Sequence, residues 1–261
     1  MPINRYEDKE VAKYWNQKYE SKFHPYLHGR QKKVLEMIGS LNLPLGSKCL
    51  ELGTGGGHNA LKYTEMGLIV HGIDSSKELL KNANKIALSN KNLEFSNVDL
   101  NLNLPFDDSS FDLVIVVGTL QYLMEPSSCL KEVSRVLKKG GYLIVAQRNA
   151  LSFNVLRKPI SFICCLLSGE GFEWGGRNVS TAIGPSEKGK RSVLIKRMIK
   201  FSNLKRWLRV AELELVNIKG YTPPLKPYPP FFRLINKILN IVPYFYLLSH
   251  VILAIGKKPE N

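Results

Sequence analysis

The chain has 261 residues, 44% of them hydrophobic, and a formal net charge of +15. A chain of this length buries a sizeable core, as one large domain or one domain with an insertion, and the composition excludes a largely disordered protein. The first 15 residues are polar and lack the apolar run of a secretory signal, and the four cysteines have no metal-ligand spacing. We therefore expect no metal site, and free thiols in a reducing, cytoplasmic compartment.

The positive charge is concentrated in one part of the chain. Residues 48–147 hold 10 Lys/Arg and 11 Asp/Glu, which sum to −1. Residues 186–261 hold 15 Lys/Arg and 4 Asp/Glu, which sum to +11. Whatever partner requires the basic charge is therefore expected to meet the last third of the chain.

The first half of the chain alternates helical and extended patterns. Helices are predicted at 8–20, 28–39, 59–66, 76–89 and 127–138, and strands at 48–52, 68–73, 93–98, 111–117 and 142–146. The segment FDLVIVV is apolar almost throughout, as is typical of a strand buried on both faces. Strands that alternate with helices favour a parallel sheet with helices on both sides.

After residue 147 the alternation stops. Residues 148–190 show no clear period, and the prolines of 222–230 favour extended or turning backbone. Helices are expected at 202–211 and 231–242, and strands at 213–219 and 250–256. The uncharged run 238–256 approaches the length of a membrane span, but we interpret it as a helix followed by a buried strand.

A glycine-rich loop follows the first strand, at residues 53–57 (GTGGG). A strand, a glycine loop and a helix together present backbone N–H groups and a helix N-terminus to a ligand. The dinucleotide pattern GxGxxG would need a glycine at position 58, which is His58. The loop therefore favours a different nucleoside ligand.

Three acids accompany this loop: Glu51 inside the first strand, Asp74 at the end of the second and Asp99 at the end of the third. Asp74 is placed to accept both hydroxyls of a ribose, and Asp99 to accept from the exocyclic amine of adenine. This arrangement suits an adenosine that has no phosphate to neutralise. The alternatives are an N-cap role for Asp74, a turn role for Asp99, and a loop-bonding role for Glu51.

These motifs resemble the class I S-adenosylmethionine (SAM)-dependent methyltransferases, and most closely the small-molecule group of ubiquinone and menaquinone methyltransferases. The matching stretches are LELGTGGG, GIDSS, NVDLNLNLPFDDSSFDLVIVVGTLQYL and LKKGGYLIVA. The resemblance implies an α/β, Rossmann-like, doubly wound and mostly parallel seven-stranded sheet with the last strand antiparallel. It divides one domain into a SAM-binding half, 1–147, and a remainder, 148–261, with acceptor-binding lid insertions at about 148–190 and 221–247.

The resemblance also implies which residues contact SAM. The methionine part is bordered by Gly53 and Gly55, with Arg30 at its carboxylate and Gly118 beside the sulfonium. The remaining matches lie at the nucleoside: Asp74 and Ser75 at the ribose, Asp99 and Leu100 at the adenine, and Glu51 near the cofactor. The helix containing Tyr19 is either part of the core or a cover over this site.

The methyl acceptor is less constrained. The sequence after the fourth strand, Gly118-Thr119-Leu120-Gln121-Tyr122, lacks the motifs of enzymes that methylate exocyclic base amines or cytosine C5. We expect a small-molecule or lipid-linked acceptor, such as a quinone-type ring or a polyprenyl-linked sugar. Gln121 and Tyr122 lie near the expected methyl path, and His24 and His28 in the expected lid, but no catalytic base is assigned.

The basic stretch 188–209 carries nine Lys/Arg and no acid, with apolar residues interleaved. A basic amphipathic stretch is typical of a membrane-surface contact, and the alternative is a solvated helix face. Peripheral membrane association is thus one hypothesis. A nucleic-acid methyltransferase or RNA-binding protein is a less favoured one, and a SAM-fold protein without catalysis is a third.

Overall fold

The computed structural model describes residues 9–21, 24–150, 152, 199–223 and 249–261. Most of the two predicted insertions, with the predicted helix at 231–242 and the vicinal Cys164 and Cys165, lies outside these residues. The other two cysteines, Cys49 and Cys129, are buried free thiols.

The described residues form six α-helices, one 3₁₀ helix and seven strands. The helices are α1 (Lys9–Glu20), α2 (Pro25–Gly39), α3 (His58–Thr64), α4 (Lys77–Ala87), α5 (Pro126–Val136) and α6 (Phe201–Val210), and the 3₁₀ helix is Leu120–Tyr122. The strands are β1 (Lys48–Leu52), β2 (Ile69–Asp74), β3 (Leu93–Asn97), β4 (Phe111–Val117), β5 (Leu137–Arg148), β6 (Glu214–Tyr221) and β7 (Val251–Lys257).

All seven strands form one sheet in the order β3-β2-β1-β4-β5-β7-β6. Strand β7 pairs antiparallel with both β5 and β6, and the other pairs are parallel. Six strands therefore point one way and only β7 is reversed. This confirms the predicted Rossmann-like sheet with an antiparallel last strand.

Helices cover both faces of the sheet. On one face, α5 and α6 pack on the larger core cluster, which includes Leu52, Val116 and Leu143. On the other face, α2 and α3 pack on a second cluster around Met37 and Tyr63. The central strand β4 is apolar almost throughout because both of its faces are buried.

Several helix boundaries differ from the prediction by one to three residues, and two of these differences have a clear cause. Helix α5 ends at Val136, and not at 138, because Leu137 adopts an extended conformation and pairs with Phe111. The next pairing is Tyr142 with Leu113, so the strand begins earlier than predicted and the intervening residues bulge out. Helix α2 begins at Pro25, and not at 28, because proline fits the first turn, where its missing N–H would have no helical partner.

Helix α6 contains the described end of the basic amphipathic stretch. Three of its apolar side chains are buried in the larger core: Leu204, Trp207 and Leu208. The apolar side of α6 is therefore part of the protein interior and is not a lipid-facing surface. The exposed side, which we call the α6 basic face, carries Lys205, Arg206 and Arg209.

The uncharged run 238–256 ends in the sheet, as predicted. Its described end includes most of β7, which lies between β5 and β6 with residues 251–255 almost completely buried. Among the described residues, none of the helices has both the length and the apolar character required to cross a bilayer.

Candidate cofactor and acceptor site

The glycine loop leaves the carboxyl end of β1 and is bound to the end of β2. The backbone N–H groups of Gly53 and Thr54 both donate to the Ile73 carbonyl, at 2.8 and 3.0 Å. Asp74 follows at the end of β2, and Gly118 follows β4 on the other side of β1. The carboxyl ends of these neighbouring parallel strands meet at one edge of the sheet, where ligands bind in open α/β sheets.

Gly53 and Gly55 are required for different reasons. Gly53 has a φ of +72°, and a Cβ there would lie 2.3 Å from the Thr119 hydroxyl oxygen. Gly55 has a φ of +59°, but a Cβ there would meet no atom within 4 Å. Gly53 thus permits close packing of the loop on the end of β4, whereas the surface of the loop at Gly55 is open to a ligand.

Glu51 lies beneath the loop, with only 1% of its surface exposed. Its carboxyl oxygen Oε2 accepts a hydrogen bond of 2.6 Å from the buried Thr54 hydroxyl. Burial raises the pKa of the Glu51 carboxyl to about 8. Glu51 therefore supports the loop from within the protein, and a direct contact with a cofactor stays a prediction.

Asp74 joins the loop to the next helix. Its Oδ2 accepts from the Gly55 N–H at 2.9 Å, and its Oδ1 accepts from the Ser76 N–H at 2.9 Å. The N-cap of α4 is Ser76, whose hydroxyl accepts from the Leu79 N–H at 3.1 Å. The Asp74 carboxylate thus lies beside the open part of the loop at Gly55, and a contact with ribose hydroxyls stays a prediction. The neighbouring Ser75 is exposed at the same edge.

Asp99 forms a tight turn. Its Oδ1 accepts from both the backbone and the side-chain N–H of Asn101, at 3.0 and 2.9 Å. The following Leu100 is buried in the larger core cluster. The turn role that the sequence left open is therefore present, and an adenine contact by Asp99 stays a prediction.

Arg30 projects from α2 towards the end of β4. It is 7% exposed, and its Nη2 donates to the Tyr19 hydroxyl at 3.0 Å. Its Nη1 lies 3.5 Å from the Tyr26 hydroxyl, and the guanidinium carbon lies 5.2 Å from the centre of the Tyr26 ring. A Cβ at Gly118 would lie 2.9 Å from Nη1, so the guanidinium borders the predicted sulfonium end of the site.

The surroundings of this guanidinium are incomplete. Its Nε is buried without a hydrogen-bond partner, and no ion pair joins Arg30 to a carboxylate among the described residues. A buried cation without a counter-charge is costly unless an anion completes its environment. The carboxylate of SAM is such an anion, so these residues fit the cofactor.

Helix α1 covers the loop and contacts Arg30. The Tyr19 ring stacks on His58, the first residue of α3, with centroids 5.5 Å apart and planes 5° from parallel. Asn16 lies over Gly56, where a Cβ would come within 2.1 Å of its Oδ1. Of the two roles left open for this helix, the cover over the site is the one that these contacts support.

Gln121 does not point freely along the expected methyl path. Its Nε2 donates to the Gly118 carbonyl at 3.0 Å, and its Oε1 accepts from the Gln147 side chain at 3.1 Å. His24 caps α2 through its Nδ1, which accepts from the Leu27 N–H at 3.4 Å. Neither contact marks a catalytic group.

Several residues at this edge had no signal in the sequence. Asn16, Tyr26 and Thr119 approach the site through contacts between distant parts of the chain, which neither spacing nor composition reveals. The predicted cofactor residues do lie at this edge of the sheet, except that Glu51 is beneath it and Leu100 is in the core. Among the described residues, no cluster of three His, Cys, Asp or Glu could hold a metal ion.

Comparisons with known proteins agree with this geometry. Residues 50–145 match the family model of the methyltransferase domain. A ubiquinone biosynthesis O-methyltransferase of Alkalilimnicola ehrlichii is 27% identical over 82% of this chain and 79% of its own. A demethylmenaquinone methyltransferase of Paenarthrobacter aurescens is 32% identical, but the match covers only 42% of each chain.

The fold also has relatives among solved structures. A SAM-dependent methyltransferase from Methanosarcina mazei aligns with 86% of this chain and 98% of its own, with a TM-score of 0.61 and 19% identity. At this identity the structural likeness shows the fold alone, and the assignment of activity depends on the sequence matches. Together these findings show that the chain carries a methyltransferase domain at residues 50–145, and they support a class I SAM-dependent methyltransferase similar to the quinone methyltransferases.

Proposed function

We propose that SAM binds across the carboxyl edge of the sheet, with its methionine part along the loop at Gly53 and Gly55. Arg30 pairs with the methionine carboxylate, and Asp74 with Ser75 accepts from the ribose hydroxyls. The observation that supports this orientation most directly is the buried guanidinium of Arg30, which borders Gly118 and has no carboxylate partner among the described residues.

The acceptor is a hydroxyl group on a small ring. The support comes from the extent of the matches: relatives named as ubiquinone biosynthesis O-methyltransferases align with 80–87% of this chain, and the demethylmenaquinone relatives with only 39–49%. The O-methyltransferase likeness therefore extends into the part of the chain where the acceptor is expected. SAM supplies an activated methyl group, and the protein contributes mainly by aligning the acceptor oxygen with it.

A lipid-linked acceptor would place this enzyme at a membrane surface. The α6 basic face supports such a contact through charge alone, because the apolar side of the same helix is buried. Each basic residue near an anionic surface contributes about 1 kcal/mol.

The proposed acceptor class can be tested with purified protein and SAM that carries a labelled methyl group. The substrates are catechol, a catechol with a short prenyl chain, a naphthoquinol and bulk RNA. We expect label on a catechol oxygen, with faster turnover of the prenylated compound. Label on a ring carbon of the naphthoquinol alone would contradict the oxygen acceptor, and label in RNA alone would favour the nucleic-acid alternative.

A further inference from the structure

His250 lies at the same edge of the sheet as the predicted sulfonium site. It immediately precedes β7, whose first residue, Val251, pairs with Arg148 at the end of β5 and with Tyr221 at the end of β6. Because β7 is antiparallel, the start of this strand meets the carboxyl ends of its neighbours. The reversed strand thus brings a histidine from near the end of the chain to the ligand edge.

The backbone of His250 is fixed on both sides. Its N–H donates to the Thr222 hydroxyl at 3.2 Å, and its carbonyl accepts from the Asn149 N–H at 3.0 Å. Its ring meets Tyr26 edge-on, with centroids 5.4 Å apart and planes at 85°. The imidazole is therefore held by packing and not left to sample the solvent.

Tyr26 connects this imidazole to the site. The Tyr26 hydroxyl lies 3.5 Å from Arg30 Nη1, the atom that a Cβ on Gly118 would approach within 2.9 Å. One tyrosine ring therefore separates His250 from the guanidinium at the sulfonium end. The imidazole and the guanidinium at the predicted sulfonium end therefore contact the same tyrosine.

The structure also describes the other four histidines of the chain, and each of them makes different contacts from His250. Two of them donate from Nε2 when neutral: His24, whose Nδ1 accepts the Leu27 N–H, and His28, whose Nε2 lies 2.5 Å from the Ser21 carbonyl. His58, the first residue of α3, stacks on the Tyr19 ring. His71 lies within the sheet, 2.8 Å from the Ser96 hydroxyl.

We propose that His250 is the general base that deprotonates the acceptor hydroxyl, an inference that rests on the proposed O-methyl transfer. A ring nitrogen of His250 takes the hydroxyl proton while the oxygen forms its bond to the methyl carbon. The methyl–sulfur bond breaks, its electron pair stays on sulfur, and the neutral thioether leaves. The imidazolium then releases its proton to solvent. Tyr26 is a positioning residue, because it packs against the base and does not receive the proton.

The test compares two acceptors of different acidity in His250→Gln. Catechol is mostly un-ionised at neutral pH and needs a base, whereas 4-nitrocatechol ionises readily and at mildly alkaline pH does not. A general base contributes about 10²–10⁴-fold, so kcat for catechol should fall by that factor while kcat for 4-nitrocatechol changes little. SAM affinity, measured by calorimetry without acceptor, should equal that of the wild type. His71→Gln is the matched control and should leave both rates unchanged.

The other possible results separate a failure of His250 as the base from a failure of the proposed O-methyl transfer. If the wild type methylates catechol oxygen and His250→Gln does so at the same rate, His250 is not the base, although O-methyl transfer stands. Equal loss with both acceptors, or loss of SAM affinity, would assign His250 a structural role. If the wild type binds SAM but methylates neither catechol, the proposed acceptor class and the base fail together.

Discussion

Replacement of Glu51 by glutamine should change how the stability of the protein depends on pH. The carboxyl is 1% exposed, and burial raises its pKa from 4.5 to about 8. Between these values the folded state binds a proton that the unfolded state has released, so the free energy of unfolding falls as pH rises. At 1.36 kcal/mol per pKa unit, the interval from 4.5 to about 8 corresponds to a loss of at most about 5 kcal/mol.

Glutamine resembles the protonated carboxyl and cannot ionise, so Glu51→Gln should remove this loss. The assay is urea unfolding of the cofactor-free protein, followed by circular dichroism from about pH 5 to about pH 9. We expect the variant to gain several kcal/mol over the wild type across this range. Glu132→Gln is the control, because the hydrogen bond from Arg135 lowers the pKa of Glu132 and its effect should be constant there. If the difference in the free energy of unfolding between Glu51→Gln and the wild type does not change with pH, the Glu51 carboxyl is not buried in its neutral form.

Three further predictions concern Asp74, the glycine loop and the α6 basic face. Asp74→Ala should weaken SAM binding by about 1–3 kcal/mol in calorimetry, the usual loss of a charge-assisted hydrogen bond, whereas the exposed Asp107→Ala should not. Gly53→Ala should lower both the unfolding midpoint and the SAM affinity, because Gly53 has a φ of +72° and an added Cβ would clash with Thr119. An unfolding midpoint and an affinity equal to those of the wild type would show that the loop can shift. Replacing the α6 basic face with glutamines should abolish salt-sensitive co-sedimentation with anionic liposomes and spare SAM affinity. If the variant pelleted with the liposomes as the wild type does, the α6 basic face would not be the membrane-binding surface.

The sheet was predictable because its signals are local. The apolar run of Phe111–Val117 and the glycines of residues 53–57 each report a strand or a turn from a few neighbouring residues. The late start predicted for β5 was wrong for a non-local reason: Leu137 leaves the helix to pair with Phe111, and no helix-ending residue precedes it.

The interior of the site was harder to predict because its contacts join distant segments. Arg30 meets Tyr19 and the end of β4, which are 11 and 88 positions away in the chain. The burial of the apolar side of α6 was equally hard to predict. A basic amphipathic pattern does not reveal whether the apolar side of a helix faces lipid or the core. In this protein Trp207 faces the core.

We propose that the buried Arg30 recognises the carboxylate of SAM. The most direct measurement is calorimetric binding of SAM and of decarboxylated SAM to the wild type and to Arg30→Met. The wild type should prefer SAM by about 1.5–3 kcal/mol, the range for a hydrogen bond to a charged group, and Arg30→Met should bind both ligands equally. An unchanged preference for SAM in the variant would contradict the claim and place the carboxylate elsewhere.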